Sequence, residues 1–230
     1  QLILQTKKTV FYDAMDSRSV DICASHEKCE PIKQDSDAER IPFPGAYNQQ
    51  NAAAALMVAD QFVPREISLN RLAKIQPVRR RFEPLYKKNG IQIIADYAHH
   101  PTEINALIKA AKEYKHKRIM VIFQPHRYTR TFAMKVEFAA VLENLDYAIL
   151  VPVYPASEPL IKGGESSDII AICHKNGLEH VHEVNQLDAA WEEMEKILIS
   201  GDILLLVGAG NINQLRINVK RFNSNTSRRK

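Results

Sequence analysis

The chain has 230 residues, 45% of them apolar, with a formal net charge of +4. That length holds one large domain or one and a half ordinary ones, and the composition is globular rather than repetitive or collagenous. No apolar run approaches the ~20 residues needed to span a bilayer, and no basic stripe with interleaved aromatics offers a nucleic-acid surface, so neither partner is expected.

The chain opens Gln1-Leu2-Ile3-Leu4-Gln5, with neither the charged region nor the apolar region of a signal peptide. Without an initiator Met, the expectation is an excised piece or a processed chain. Three cysteines, Cys23, Cys29 and Cys173, are too few and too scattered for a disulfide framework. Cys23 and Cys29 flank His26, but their spacing is not a usual zinc pattern, so no metal site is expected. A reducing, cytoplasmic location fits.

Val10 to Asp13 and Val20 to Ala24 read as short strands, and Gln34 to Arg40 as a polar loop or turn. Asn51 to Phe62 reads as an alanine-rich helix suited to close packing, ended by Pro64. A linking segment then runs through Pro77 to Arg80-Arg81-Phe82-Glu83, with a hinge expected near residues 75 to 78. From residue 91 the pattern becomes regular. Apolar runs at 91–95, 118–123, 147–151, 180–184 and 203–207 alternate with four helical segments. In the first helix Ile104, Leu107, Ile108 and Ala111 share a face, and Pro101 suits its first turn. In the second Phe132, Val136, Ala139 and Ala140 share one. The third spans about 167–175 and stops at Asn176-Gly177. The fourth carries a core stripe of Leu187, Ala190, Trp191, Met194, Ile197 and Leu198. Strands alternating with helices predict an α/β, Rossmann-like, mostly parallel sheet flanked by helices. No Gly-x-Gly-x-x-Gly turn follows the strand at 91–95, which argues against a dinucleotide-dependent dehydrogenase.

In such sheets ligands bind beyond the carboxyl ends of the strands. Directly after 118–123 stands Gln124-Pro125-His126-Arg127-Tyr128-Thr129-Arg130-Thr131, with two guanidinium groups, an imidazole and two threonine hydroxyls. Arginine pairs with carboxylate or phosphate in a bidentate manner, so an acidic substrate is expected there. After 91–95 comes Asp96-Tyr97-Ala98-His99-His100-Pro101-Thr102-Glu103. Asp96 suits either a ribose hydroxyl or a helix cap. The adjacent histidines His99 and His100 cannot both face one apolar core. Glu83 and Glu103 fit surface or helix-end roles. Gly208-Ala209-Gly210 reads first as a tight strand-to-helix turn, with ligand approach at a helix N-terminus as the other reading.

With Pro44 to Ala52, Arg80 to Glu83 and Gly208 to Ile212, these loops resemble the C-terminal part of the Mur ligase family, and within it the alanine-adding ligases. Val153 to Glu158 with Gly163 to Ser167 adds a weaker correspondence, and the likeness covers residues 42 to 216. It implies an ATP-dependent ligase of peptidoglycan synthesis. ATP would phosphorylate the lactyl carboxylate of UDP-N-acetylmuramate, and the L-alanine amine would attack the acyl phosphate. Carried over by motif, Arg81 would contact ATP phosphate, Asp96 the ribose, and Asn48 and Asn51 the adenine. His99, Arg127 and Arg130 would hold L-alanine and the reacting carboxylate. His126 would support its loop, and Tyr97 would line the cleft.

The resemblance further implies that residues 1–75 are the end of a central ATP-binding domain, 76–222 the C-terminal domain and 223–230 a disordered basic tail. Tyr47 stands where the family usually has His, and no Gly-x-x-x-x-Gly-Lys-Ser/Thr loop occurs in the chain. Magnesium ligands are therefore expected outside it, and the fragment is expected to be inactive alone. Two alternatives stay open: a Mur-type ligase adding another amino acid or a peptide, and a non-catalytic binding module of this fold.

Overall fold

A computed structural model describes residues 8–42, 45–76 and 78–228, with side chains described as far as residue 224. The chain divides into two compact units, Gln1–Pro77 and Val78–Lys230, each taken by itself. Pro44 of the first motif and Pro77 at the expected hinge lie outside the described residues.

In the first unit, β1 (Val10–Tyr12) pairs in parallel with β2 (Cys29–Pro31). Between them runs helix α1 (Ser17–Cys23). The expectation of a strand at Val20 to Ala24 is thus corrected. Asp16 caps the helix by accepting Ser19 N at 3.0 Å, and Val20 N and Ala24 N bond to carbonyls four residues back. A short apolar run does not tell strand from helix, and the cap decides. The polar loop or turn expected at Gln34 to Arg40 is a 3-10 turn over Ser36–Arg40. Helix α2 (Ala46–Ala59) begins earlier than expected, and Pro64 does not end it but caps α3 (Arg65–Leu72). The unit's core is small: Ala38, Ala52, Ala53, Leu56 and Leu72.

The second unit is built on a six-stranded sheet of order β3-β4-β8-β5-β6-β7. Its strands are β3 (Glu83–Lys88), β4 (Ile91–Asp96), β5 (Arg118–Phe123), β6 (Tyr147–Leu150), β7 (Val181–Glu183) and β8 (Asp202–Val207). All neighbouring pairs are parallel except β3 with β4. The five expected apolar runs are β4 to β8. Four of them, β4, β5, β6 and β8, are buried on both faces and read as continuous runs rather than alternating ones, whereas the short β7 buries only Val181 fully. β3 carries no such run, because as an edge strand it buries only Tyr86 fully. Its hairpin to β4 turns at Asn89-Gly90, both at positive φ.

Helices α4 (Pro101–Lys112), α5 (Tyr128–Leu142) and α6 (Ser166–Lys175) pack in sequence, α4 on α5 and α5 on α6. On the other face α7 (Leu187–Ile197), a 3-10 turn (Asn211–Leu215) and α8 (Arg216–Arg228) pack together. There Trp191, Met194, Ile212 and Phe222 meet every second strand residue, such as Ile93, Met120, Ile122 and Leu204. α4 and α7 bury the stripes expected of them, and α6 stops at Asn176 as its sequence predicts. α5 does not: Phe132 and Val136 are 50% and 62% exposed, Ala140 is exposed, and the buried face is Thr131, Phe138, Ala139 and Leu142. Met134 leaves the helical region at φ −127°. That break shifts the angular phase, so one period does not serve both halves. The reading of 223–230 as a disordered tail is corrected as far as Arg228, because α8 continues through it. Phe222 anchors that helix edge-on against Tyr86 at 5.1 Å.

Candidate ligand site at the carboxyl edge of the sheet

The loops singled out in the sequence converge where β4, β8, β5 and β6 end. β4 delivers Asp96, which is 4% exposed. Its Oδ2 accepts Phe82 N at 2.7 Å and its Oδ1 accepts Ala98 N at 2.8 Å, so it fastens the entry to β3 onto the exit of β4. Burial pushes its carboxyl above the usual range, opposed by those amides and by Arg81. Helix α4 is capped instead by His100, in a capping box with Glu103. Glu103 Oε2 also accepts His99 N at 2.9 Å and lies 3.4 Å from His99 Nδ1. Burial works to raise Glu103, but the His99 amide and imidazole, the His100 amide and Arg81 outweigh it and hold it below the usual carboxylate range.

Beside β4, the loop after β8 is closed by a residue that sequence reasoning passed over. Arg80 donates to the carbonyls of Gly208 and Gly210, and its guanidinium lies 4.6 Å over the Tyr97 ring. Arg81, exposed, approaches the same ring at 5.7 Å. The two glycines are there for close packing. A Cβ on Gly208 would meet Gln124 O at 2.7 Å, and one on Gly210 would meet Tyr154 at 2.5 Å. Gln124 Oε1 accepts Ile212 N at 3.0 Å and completes the turn. The tight-turn reading of this segment is therefore sufficient.

Four rings form a continuous row along the edge. Tyr97 meets His99 edge-on at 5.4 Å, His99 lies 5.8 Å from His126, and His126 stacks on Tyr154 at 5.5 Å and 15°. His99 Nδ1 faces the Tyr97 carbonyl at 3.0 Å. His126 Nδ1 is buried without a hydrogen-bond partner among the described residues. Burial, then the neighbouring Arg130, His99 and Arg127, pull His126 below the ordinary histidine range, favouring its neutral form. Next to Tyr154 opens a cavity of about 500 Å³ walled by Gln124, Asn185, Gln186, Asn211 and Gln214.

The guanidinium loop sits at the start of α5. Arg127 takes φ of 72°, its N donates to Tyr154 O at 2.8 Å, and its carbonyl accepts Thr131 Oγ1 at 3.0 Å. Its side chain is half-exposed and lies 3.4 Å from Glu158. Arg130 is tied back to the His126 carbonyl at 3.2 Å. Glu158, also missed, accepts Thr129 N and Oγ1 at 3.1 and 2.8 Å. The Thr129 amide leads in holding its carboxyl low. Arg80, Phe82, Arg127, Ala156 and Ser157 all take positive φ in these loops. Such strained residues cluster where surrounding structure fixes a functional loop.

The second unit therefore gathers Arg81, Asp96, Tyr97, His99, His126, Arg127 and Arg130 on one edge. Asn48 and Asn51 lie on α2 of the first unit, Asn48 buried and Asn51 exposed. A sequence profile described as "Mur ligase, glutamate ligase domain" matches residues 80–210. The chain belongs to the Mur ligase family. The UDP-N-acetylmuramate–L-alanine ligase of Carboxydothermus hydrogenoformans is 41% identical over 182 residues, which covers 76% of this chain and 38% of that protein. The same ligase from Geobacter sp. strain M21 is 39% identical over 175 residues, with 75% and 38% covered. The crystal structure of the Thermotoga maritima UDP-N-acetylmuramate–alanine ligase superposes with a TM-score of 0.63 at 30% identity, over 80% of this chain and 40% of that one. The chain thus spans about two fifths of the length of these relatives.

The profile match runs from Arg80 to Gly210, two residues that the Arg80 guanidinium ties together. In the sequence Arg80 is the middle of the run Arg79-Arg80-Arg81 before Phe82 and Glu158 closes the Pro155-Ala156-Ser157-Glu158 turn, and neither position signals its distant contacts.

Proposed function

We propose that this chain is part of an ATP-dependent ligase that joins L-alanine to UDP-N-acetylmuramate through an acyl phosphate, in cytoplasmic peptidoglycan synthesis. The observation that carries the reading is the convergence of Arg127, Arg130, His99 and Arg81 on one sheet edge, in a chain 41% identical to an enzyme of that name. Among the described residues no group of three or more His, Cys, Asp or Glu is placed to hold a metal ion, so magnesium is assigned to none of them. The first unit, on this reading, is the end of a central ATP-binding domain.

The reaction brings two anions and an amino-acid zwitterion together. A carboxylate oxygen attacks the γ-phosphorus of ATP and ADP departs. The alanine amine then attacks the acyl carbon, a tetrahedral intermediate forms, and phosphate leaves. Guanidinium groups fixed before the substrates arrive offset the repulsion and hold the amine in line. We assign Arg127 and Arg130, with His99, to the alanine carboxylate and the reacting carboxyl group. Both arginines are held from behind, by Glu158 and by the His126 carbonyl, and so are oriented in advance. Arg81 is assigned to ATP phosphate and Asp96 to the ribose. Each Asp96 oxygen accepts one amide and keeps a second lone pair for a hydroxyl. Asn48 and Asn51 are assigned to the adenine. Tyr97 lines the cleft and His126, neutral, supports the arginine loop.

The chain contains no phosphate loop, so turnover belongs to the full-length parent. The test is ATP-dependent phosphate release by that parent with UDP-N-acetylmuramate and L-alanine, glycine, L-serine or a stem peptide as acceptor. Release strongest with L-alanine is expected. Release driven best by a peptide would assign the chain to another branch of the family, and no release with any acceptor would leave a binding module.

A further inference from the structure

Two of the three cysteines lie together in the first unit. Cys23, the last residue of α1, is 6% exposed, whereas Cys29 opens β2 and is half-buried. The chain between them doubles back through two successive turns. His26 N donates to Cys23 O at 3.0 Å, and Cys29 N donates to His26 O at 3.1 Å. Parallel pairing of Cys29 with Val10 fixes the β2 end of the loop. The two thiols are hydrogen-bonded to one another, and that contact, with burial, pushes Cys23 up to about 11. Cys173 is fully buried on α6 of the other unit.

We propose that Cys23 and Cys29 form a reversible disulfide site that exchanges with low-molecular-weight disulfides of the glutathione class. Cys29 is the more open thiol, and access favours it as the attacking group. As a thiolate it attacks one sulfur of the small disulfide, forms a mixed disulfide and releases one thiolate. Cys23 then loses its proton to solvent and attacks the Cys29 sulfur, and the second small thiolate leaves. The protein thiols lose two electrons, the small disulfide gains them, and the two protons end on the released thiols. Cys23 is a poor nucleophile toward the outside, yet its position against Cys29 makes the second step intramolecular. In a reducing compartment such a bond is transient and serves as a redox sensor rather than a staple. When formed, it ties the end of α1 to the start of β2.

The test uses the folded 230-residue chain in glutathione buffers of graded redox ratio, with alkylation of free thiols and mass analysis of tryptic peptides. Trypsin cuts after Arg18, Lys28 and Lys33, so the bond would join two otherwise separate peptides. The expected result is that cross-linked pair, with an equilibrium constant about tenfold or more above that of the same chain in denaturant. Cys23→Ser should instead stop at one glutathione on Cys29, and Cys29→Ser should leave Cys23 free. An equilibrium constant no higher than in denaturant would overturn the proposal. So would accumulation of glutathionylated Cys29 in the unsubstituted chain.

Discussion

The two units solve the burial problem differently. The second unit stacks large side chains on both faces of a six-stranded sheet, with Phe123, Ile122 and Leu204 inaccessible to solvent. The first closes around three alanines and two leucines, and leaves Ile22, Phe62 and Ile67 about half exposed or more. Buried apolar area sets stability, so the second unit is the rigid one. The candidate site's strained loops stand on it, where a stiff scaffold holds them.

The contrast is broken or sharpened most strongly in the cores. Phe123→Ala should cost the second unit about 3–5 kcal/mol, and Leu56→Ala the first unit about 2–3 kcal/mol, because a small alanine-lined core collapses more readily. Denaturant unfolding of the 230-residue chain, followed by hydrogen exchange in each unit, would check this. Equal costs would erase the distinction.

Ion pairs repeat the comparison at a smaller scale. Arg118 pairs with Asp202, which is fully buried, through Nε at 3.0 Å and Nη2 at 2.6 Å. Arg118→Ala strands that charge and should destabilise by about 3 kcal/mol. Arg65 of the first unit bonds to Asp35 and Asp60 at the surface. Arg65→Ala should cost about 1 kcal/mol or less, and its effect should fade in salt. Similar losses for the two variants in thermal melts would contradict the account.

Within the second unit, Asp96→Ala removes the acceptor of two buried amides and should cost about 2–3 kcal/mol. Asp96→Asn, which retains one acceptor, should cost less. The smallest effect is a pH dependence. His126 is held below its ordinary range by burial and by neighbouring cations, so the unfolded chain takes up its proton first. Its contribution is present above the ordinary histidine value and is lost as pH falls from there through the depressed folded value. Stability measured across that window should fall less steeply in His126→Gln than in the parent sequence.

The same contrast governs what could be read in advance. β4, β5, β6 and β8 are runs buried on both sides, and their apolar content alone gave them away. α4 and α7 declare themselves by unbroken periods. α5 misled because Met134 interrupts its helix, an event with no proline or glycine to announce it. β3 hid because an edge strand needs only one buried ring, although Asn89-Gly90 marked its hairpin. In the first unit the five-residue segment Val20 to Ala24, read as a strand, became helix through the cap at Asp16. At the site, the residues that point outward were legible by chemistry. The ones behind them, Arg80 and Glu158, act by folding-dependent contacts across 128 and 31 positions of chain, which no local pattern encodes.

The most direct test of the proposed arginine clamp is steady-state kinetics of the full-length parent carrying Arg127→Ala or Arg130→Ala, with L-alanine varied at saturating ATP and UDP-N-acetylmuramate. The account predicts a rise in the L-alanine KM of about tenfold or more in each variant, with thermal stability of the second unit unchanged. Unchanged KM and kcat in both folded variants would contradict it.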